Sequence, residues 1–202
     1  QRLMDLVMTG LVFEACLVYL DDIVIFSNTL EEHLSRLEAV LQRLVATGLK
    51  LKPSKCRFLQ TRVSFLGHVV SGEGIATDPA KIEQVSRWPP PTNVKEIRGF
   101  LGLCGYYRRF ISHYAEIASP LTSLLNKGAR FTWTSECQGA FEALRAALTT
   151  PPVLAMPAYE GLMVLDTDAS DRSIGAVLSQ VQGGEERVIA YASRVLRPAE
   201  VR

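Results

Sequence analysis

Two short apolar runs of β-favouring residues flank a pair of acidic residues in the first part of the chain. Residues 16–20 and 23–27 have the composition of strands, and Asp21 and Asp22 lie between them. Two strands joined by a two-residue turn form a β-hairpin. The pattern therefore predicts a hairpin that carries both carboxylates at its tip.

A helical pattern follows the hairpin. Thr29 and Glu32 match a capping box, and Gly48 is suited to end the helix. After a basic loop, residues 63–70 are predicted to form a strand that turns at residues 71–74. The apolar positions that recur at helical spacing are Leu30, Leu34, Leu37, Leu41 and Leu44.

Prolines and capping residues divide the middle of the chain. Residues 78–88 are a short predicted helix, and prolines 89–91 end it at a candidate hinge, because proline lacks the amide donor. Longer helices are predicted for residues 93–111 and 135–149. Prolines between residues 151 and 157 mark a second linker.

Three glycines lie on one predicted helix, at positions 99, 102 and 105. Each glycine inside a helix costs about 1 kcal/mol relative to alanine. Their spacing therefore suggests that something approaches this face closely. Another helix is the expected neighbour, and nucleic acid is the alternative.

The last part of the chain changes to strands. Residues 162–166, 174–180 and 187–193 are β-favouring, and Gly183-Gly184 is suited to a turn between the last two. No helix pattern separates these strands, which predicts an antiparallel meander that opens a second domain. The whole pattern is typical of an α+β fold.

The composition excludes several classes of protein. Of 202 residues, 48% are hydrophobic and the net charge is +1, so the chain is neither disordered nor strongly basic on average. No apolar run approaches the roughly 18 residues of a membrane span, and no signal-peptide pattern is seen. Because the first residue is Gln1, we expect an internal segment of a longer chain. The cysteines lack metal-site spacing and are expected to be reduced thiols of an intracellular protein: Cys16, Cys56, Cys104 and Cys137.

The acidic pair is the strongest candidate for chemistry. Aspartates are common in solvated turns, which is one interpretation of Asp21 and Asp22. The apolar residues around them favour a second one, in which a sheet directs both acids to one point. Hard oxygen ligands suit Mg²⁺, and two such ions can stabilise the attacking and leaving oxygens of a phosphoryl transfer.

Basic residues are unevenly distributed. The segment between Glu38 and Glu73 contains no acidic residue but several lysines and arginines, and Arg108-Arg109 is flanked by aromatic residues. Charged segments are often only solvated surfaces. Basic and aromatic residues together are also typical of surfaces that follow a nucleic-acid backbone.

Four motifs, in order along the chain, resemble those of retroelement reverse transcriptases. Tyr-Leu-Asp-Asp at 19–22 resembles the polymerase signature, and Phe-Leu-Gly-His at 65–68 resembles the primer-grip hairpin. Residues 88–111 resemble the thumb of gypsy-type LTR retrotransposon polymerases. Residues 165–170 and 174–179 resemble the start of the attached ribonuclease H domain.

The resemblance implies roles for individual residues. Asp21 and Asp22 would be two of three catalytic, metal-binding aspartates of the palm, with Mg²⁺ or Mn²⁺ as the metal. Asp168 would be the first catalytic, metal-binding carboxylate of the ribonuclease H site. The residues implied to contact nucleic acid are Tyr19, Phe65, Leu66, Gly67, His68, Arg98, Tyr107, Arg108 and Arg109.

The resemblance also implies a division of the chain. Residues 1–77 would be the C-terminal part of the palm with the primer grip, and 78–126 the thumb. Residues 127–158 would be the connection, and 159–202 the N-terminal part of a ribonuclease H-like domain. The remaining acids of both sites would lie outside the chain, so it is expected to be inactive alone.

The function implied is an RNA-directed DNA polymerase linked to a ribonuclease H, both using metal-dependent phosphoryl transfer. Its partners would be template–primer nucleic acid, as RNA–DNA hybrid or DNA duplex, and deoxynucleoside triphosphates in the longer parent, with no membrane partner. The compartment would be a cytoplasmic particle or the nucleus. The alternatives are a non-catalytic or domesticated nucleic-acid-binding remnant, and a small globular protein with an unrelated acidic turn.

Overall fold

The structure is a computed structural model that describes residues 1–197 and 199–201. It divides the chain into two compact units, Gln1–Gln60 and the residues from Thr61 onward. Among the described residues, no helix combines the length and the apolar character needed to cross a membrane.

The first unit packs a β-hairpin against one long helix. Thr29 caps that helix, since the Glu32 amide donates to its Oγ1 (3.2 Å), while the Glu32 carboxylate accepts from the Asn28 amide (2.9 Å). This confirms Thr29 as the N-cap, while the carboxylate of Glu32 bonds the amide one residue before the cap instead of the Thr29 amide. Met8, Cys16 and Val40 are among the side chains of its small core. The elements are α1 (Arg2–Val7), β1 (Cys16–Tyr19), β2 (Asp22–Ile25) and α2 (Leu30–Ala46), followed by a 3₁₀ turn at Pro53–Lys55.

The second unit combines two antiparallel three-stranded sheets with a group of helices. In each sheet the strands are hydrogen-bonded in their order along the chain, which confirms the α+β fold and the C-terminal meander. The first sheet consists of β3 (Arg62–Phe65), β4 (His68–Ser71) and β5 (Gly74–Thr77). The helices are α3 (Pro79–Ser86), α4 (Val94–Tyr106), a 3₁₀ turn at Arg108–Phe110, α5 (Tyr114–Ser123) and α6 (Ser135–Thr149). The second sheet consists of β6 (Met163–Ala169), β7 (Ser173–Gln182) and β8 (Glu185–Val195).

The core of the second unit lies between its helices. Phe100 of α4 and Phe141 of α6 are fully buried, with ring centroids 4.7 Å apart. Burying such rings removes a large apolar area from water, at roughly 25 cal/mol per Å². This core fixes the end of α4, where Tyr107 and Phe110 are also buried.

Three predicted boundaries are wrong. Tyr19 pairs with Asp22, so the first turn consists of Leu20 and Asp21, and Asp22 belongs to β2. The strand predicted at 63–70 is broken at Leu66-Gly67 into β3 and β4. The helix predicted at 93–111 ends at Tyr106, because the chain turns there into a 3₁₀ segment.

Candidate nucleic-acid interface and catalytic acids

The hairpin tip that carries Asp21 and Asp22 is anchored by a side chain from outside the hairpin. The Gln1 amide oxygen accepts from the Leu20 backbone amide (2.6 Å), and its nitrogen donates to the Val18 carbonyl (3.3 Å). Leu20 has a φ of +53°, a left-handed conformation that is uncommon for a leucine. Both carboxylates are exposed at this constrained turn.

The donor chemistry of the tip suits a hard divalent cation. Two adjacent carboxylates are the usual protein contribution to a Mg²⁺ site, where waters and substrate phosphates supply the other oxygens. Among the described residues, no group of three or more His, Cys, Asp or Glu side chains is placed to hold a metal. Asp21 and Asp22 therefore fit two of the oxygen ligands of a Mg²⁺ site, but not a complete set of protein ligands.

The turn at residues 65–68, hereafter the 65–68 turn, is hydrogen-bonded to the side chains of two tyrosines. Leu66 and Gly67 both have positive φ, of +49° and +70°, as a two-residue type I′ hairpin requires. The hydroxyl of Tyr106 donates to the Leu66 carbonyl, and that of Tyr107 donates to the Gly67 carbonyl (2.6 Å). The turn thus presents Leu66 outward while its backbone is fixed.

His68 fills the space between the turn and the end of α4. Its ring stacks on Tyr106 (5.3 Å, 14°) and on Phe110 (5.6 Å, 27°) and meets Tyr107 edge-on (5.4 Å). Burial lowers the pKa of His68, and the positive charge of Arg109 lowers it further. The folded protein therefore favours the neutral form of His68, which packs against three aromatic rings.

This environment predicts an acid-sensitive second unit. Because the folded protein holds the pKa of His68 below its ordinary value of 6.5, the unfolded state binds the proton more readily. The stabilising contribution is complete above about pH 6.5 and decreases as the pH falls towards the lower pKa of the folded state. Urea unfolding followed by tryptophan fluorescence should show lower stability near pH 5.5 than near pH 7.5. His68→Phe, which keeps the stack but cannot titrate, should reduce this difference, and an unchanged difference would contradict it.

One face of α4 is exposed and basic, and two of its positions are glycines without side chains. Ile97, Phe100 and Cys104 are buried on the opposite face. A Cβ at Gly102 would meet nothing within 4 Å, and one at Gly99 would meet only Trp88, at 3.8 Å. The prediction that another helix packs against this face is therefore wrong for Gly99 and Gly102, as far as the described residues show. The exposed face, hereafter the α4 face, consists of Lys95, Arg98, Gly99, Gly102 and Tyr106.

Arg108 and Arg109 contact β8. Arg108 donates to the Ser193 carbonyl and lies over the ring of Tyr114 (5.3 Å), while Arg109 donates to the Ile189 carbonyl (3.2 Å). Their basic and aromatic pattern gave no signal for this contact, which joins residues about 80 positions apart.

Asp168 lies in β6 of the second unit. It is exposed and pairs with Gly175 of β7. With Asp166 and His113 it lines a cavity of about 140 Å³, and the His113 ring lies 3.5 Å from the position that a Cβ of Gly175 would take, which is van der Waals contact distance. Sequence reasoning missed His113, since nothing in its neighbours marks it. Of the other predicted residues, Tyr19 and Arg98 are exposed, on β1 and α4 respectively.

Comparison with protein families defines the class of the chain. Residues 1–70 match the family model described as reverse transcriptase (RNA-dependent DNA polymerase). Residues 133–202 match the RNase H-like domain found in reverse transcriptase. The chain therefore carries a reverse transcriptase segment followed by an RNase H-like segment.

Its homologues are Pol polyproteins of transposons. It is 45% identical, over 100% of its length, to the retrovirus-related Pol polyprotein from transposon 297 of Drosophila melanogaster. It is 39% identical over 99% to that from transposon opus, and 40% identical over 91% to the Tf2-3 polyprotein of Schizosaccharomyces pombe. The chain spans only 19%, 21% and 14% of these relatives.

Two solved structures of foamy viral protease-reverse transcriptase, both in complex with nucleic acid, contain a region with the fold of this chain. The chain matches one in complex with double-stranded DNA at a TM-score of 0.88 and 28% identity, covering 100% of this chain and 35% of that one. It matches one in complex with an RNA/DNA hybrid at 0.84 and 28% identity, covering 100% and 27%.

Proposed function

We propose that the chain is part of an RNA-directed DNA polymerase with a linked ribonuclease H, from a gypsy-type retrotransposon Pol polyprotein. The observation that carries the proposal is the exposed Asp21-Asp22 pair at an anchored hairpin tip, inside the segment that matches reverse transcriptase. The parts proposed are palm (1–77), thumb (78–126), connection (127–158) and the start of the nuclease domain (159–202). The compartment proposed is a cytoplasmic particle or the nucleus.

Two sites of phosphoryl transfer follow from this proposal. Asp21 and Asp22 would hold Mg²⁺, or Mn²⁺, for nucleotide addition, and Asp168 would do so for cleavage of the RNA strand. The metal supplies charge stabilisation and activation of the attacking oxygen when bound. The protein's part is to hold these carboxylates in fixed places, through the Gln1 anchor at one site and the β6–β7 pairing at the other. Since each site needs further acids, we expect the chain to be inactive alone.

The proposed contacts with template–primer lie on two surfaces of the second unit. The 65–68 turn exposes Leu66 and would position the primer strand, while the α4 face would follow the backbone of the duplex. Glycines leave that face without side chains that would obstruct a close approach, and Lys95 and Arg98 would neutralise phosphates. Foamy viral relatives in complex with DNA and with RNA/DNA hybrid support this assignment. Three further residues would stabilise this interface through their hydrogen bonds to the 65–68 turn and to β8: Tyr107, Arg108 and Arg109.

The activity test uses a Pol-length polypeptide that contains this chain and its flanking segments. We expect it to extend a DNA primer on an RNA template with deoxynucleoside triphosphates and Mg²⁺, and to cleave the RNA strand of a hybrid. A folded protein that binds the hybrid but performs neither reaction would overturn the catalytic proposal in favour of a binding remnant.

Charge reversal on the α4 face should weaken binding by the 202-residue chain. Each phosphate contact contributes about −0.9 to the slope of log affinity against log salt, so Lys95→Glu with Arg98→Glu should flatten that slope by about 2. Fluorescence anisotropy with hybrid and with DNA duplex, between about 50 and 200 mM salt, measures it. The matched control is Lys127→Glu with Arg130→Glu, which makes the same charge change at exposed residues elsewhere. Equal slopes for the two variants would remove the α4 face from the interface.

A further inference from the structure

Residues Tyr106 to Arg109, hereafter the 106–109 segment, are bonded in pairs to two different parts of the second unit. The first pair donates its hydroxyls to carbonyls of the 65–68 turn. The second pair donates its guanidinium groups to carbonyls of β8. Four consecutive residues thus connect the proposed primer-binding turn to the sheet that carries Asp168.

The acceptors on β8 are available for a structural reason. β8 is an edge strand, and edge strands leave backbone groups without partners in the sheet. The pairing shifts between Leu178 and Ser179, which oppose Ala190 and Val188, and Ile189 is left as the extra residue of a bulge. The carbonyl of Ile189 accepts the bond from Arg109.

Arg109 is held in an unfavourable environment. Its Nε is buried and has no hydrogen-bond partner among the described residues. A buried donor without a partner costs free energy, so its presence calls for an explanation. The explanation is that the same guanidinium group donates from its terminal nitrogen to the Ile189 carbonyl, at 3.2 Å.

A second connection joins the same two sheets, at the turn between β4 and β5 instead of the 65–68 turn. Arg187 of β8 donates to the Glu73 carbonyl, in the turn between β4 and β5 (2.8 Å). Beside it, Ile75 of β5 and Leu154 exchange two backbone hydrogen bonds, of 2.7 and 2.9 Å. The β3-β4-β5 sheet is thus attached to the C-terminal part of the second unit by the 106–109 segment and, separately, by these bonds.

We propose that the 106–109 segment is a spacer that sets the distance between the primer end and the nuclease carboxylate. This inference rests on the proposed function, since it assigns the primer end to the 65–68 turn and the nuclease site to Asp168. The spacer would determine how far behind the primer terminus the RNA strand is cut. Tyr106, Tyr107, Arg108 and Arg109 are positioning residues in this proposal.

The test measures where the RNA is cut, at matched extents of cleavage. A Pol-length polypeptide containing this chain is given a labelled RNA annealed to a recessed DNA primer. Arg109→Met keeps an apolar stem but loses the bond to β8, so the cuts should spread or move by about one nucleotide or more, because a base step is roughly 3.4 Å. Arg109→Lys retains a donor and should restore the wild-type positions. Arg87→Met removes an exposed arginine and should leave them unchanged.

Two further measurements keep the proposal falsifiable. If Arg109→Met does not fold, Tyr106→Phe with Tyr107→Phe removes the other pair of bonds at nearly constant volume and should also displace the cuts. In the 202-residue chain, Arg109→Met should raise amide exchange both in β8 and in the 65–68 turn, whereas Arg87→Met should not.

The outcomes separate this proposal from the proposed function. Unchanged cut positions in folded Arg109→Met would overturn the spacer. If even the wild-type polypeptide cut no RNA, the nuclease assignment would fail. The exchange measurement would then test whether the 106–109 segment links the 65–68 turn to β8. A change in amide exchange confined to β8 would refute that link.

Discussion

Asp22→Asn, in a Pol-length polypeptide containing this chain, should abolish primer extension and leave cleavage of an RNA–DNA hybrid largely intact. The substitution keeps the side-chain shape but removes a negative ligand from the first residue of β2. Loss of a preorganised electrostatic group typically costs a factor of about 10³, or ~4 kcal/mol of transition-state stabilisation. Extension of a labelled primer on an RNA template measures the loss.

Asp168→Asn should have the opposite effect, abolishing cleavage but not extension. Asp22 and Asp168 lie in different compact units and are held by different elements, β2 and β6. Each substitution should therefore act on its own site. Asp171→Asn is the matched control, because it removes an exposed acid from the loop directly after β6.

The two assays also test the assignment of sites. If Asp22→Asn lost both activities while the protein stayed folded and bound the hybrid, Asp168 would not mark an independent nuclease. If neither substitution altered either activity, the catalytic interpretation would fail and a binding remnant would replace it.

Local patterns were enough to predict the elements that depend on neighbouring residues. The N-cap at Thr29 and the Gly183-Gly184 turn were both predicted, because each uses bonds or φ values set within a few residues. The first hairpin was predicted as well, but one residue out of register. The actual turn uses Leu20 at φ +53°, a conformation that no sequence rule assigns to leucine and that the distant Gln1 stabilises.

Contacts between distant residues could not be predicted in this way. Arg108 and Arg109 suggested nucleic acid because aromatic residues flank this basic pair, yet both donate to carbonyls of β8. β5 was missed for a similar reason. Its sequence, Gly-Ile-Ala-Thr, is short, and it is paired on one side with β4 and on the other with Leu154. Asp21, Asp22 and Asp168 are exposed, and the roles predicted for them came from the family resemblance alone.

Gly74→Ala should destabilise the second unit by about 3 kcal/mol, since strained φ and overpacking each cost roughly 1–3 kcal/mol. Gly74 has a φ of +136°, which disfavours any L side chain, and a Cβ there would lie 2.1 Å from the Leu154 carbonyl oxygen. That oxygen accepts the Ile75 amide, so relieving the clash would break the link between β5 and Leu154.

Urea unfolding followed by tryptophan fluorescence measures this effect in the relevant unit, because both tryptophans, Trp88 and Trp133, lie in the second unit. The matched control is Gly72→Ala, where a Cβ would meet nothing within 4 Å, so its stability should stay within about 0.5 kcal/mol of the wild type. Equal stabilities for the Gly74 and Gly72 variants would show that the chain relaxes around the added methyl group. The bonds between β5 and Leu154 would then contribute little to the stability of the second unit.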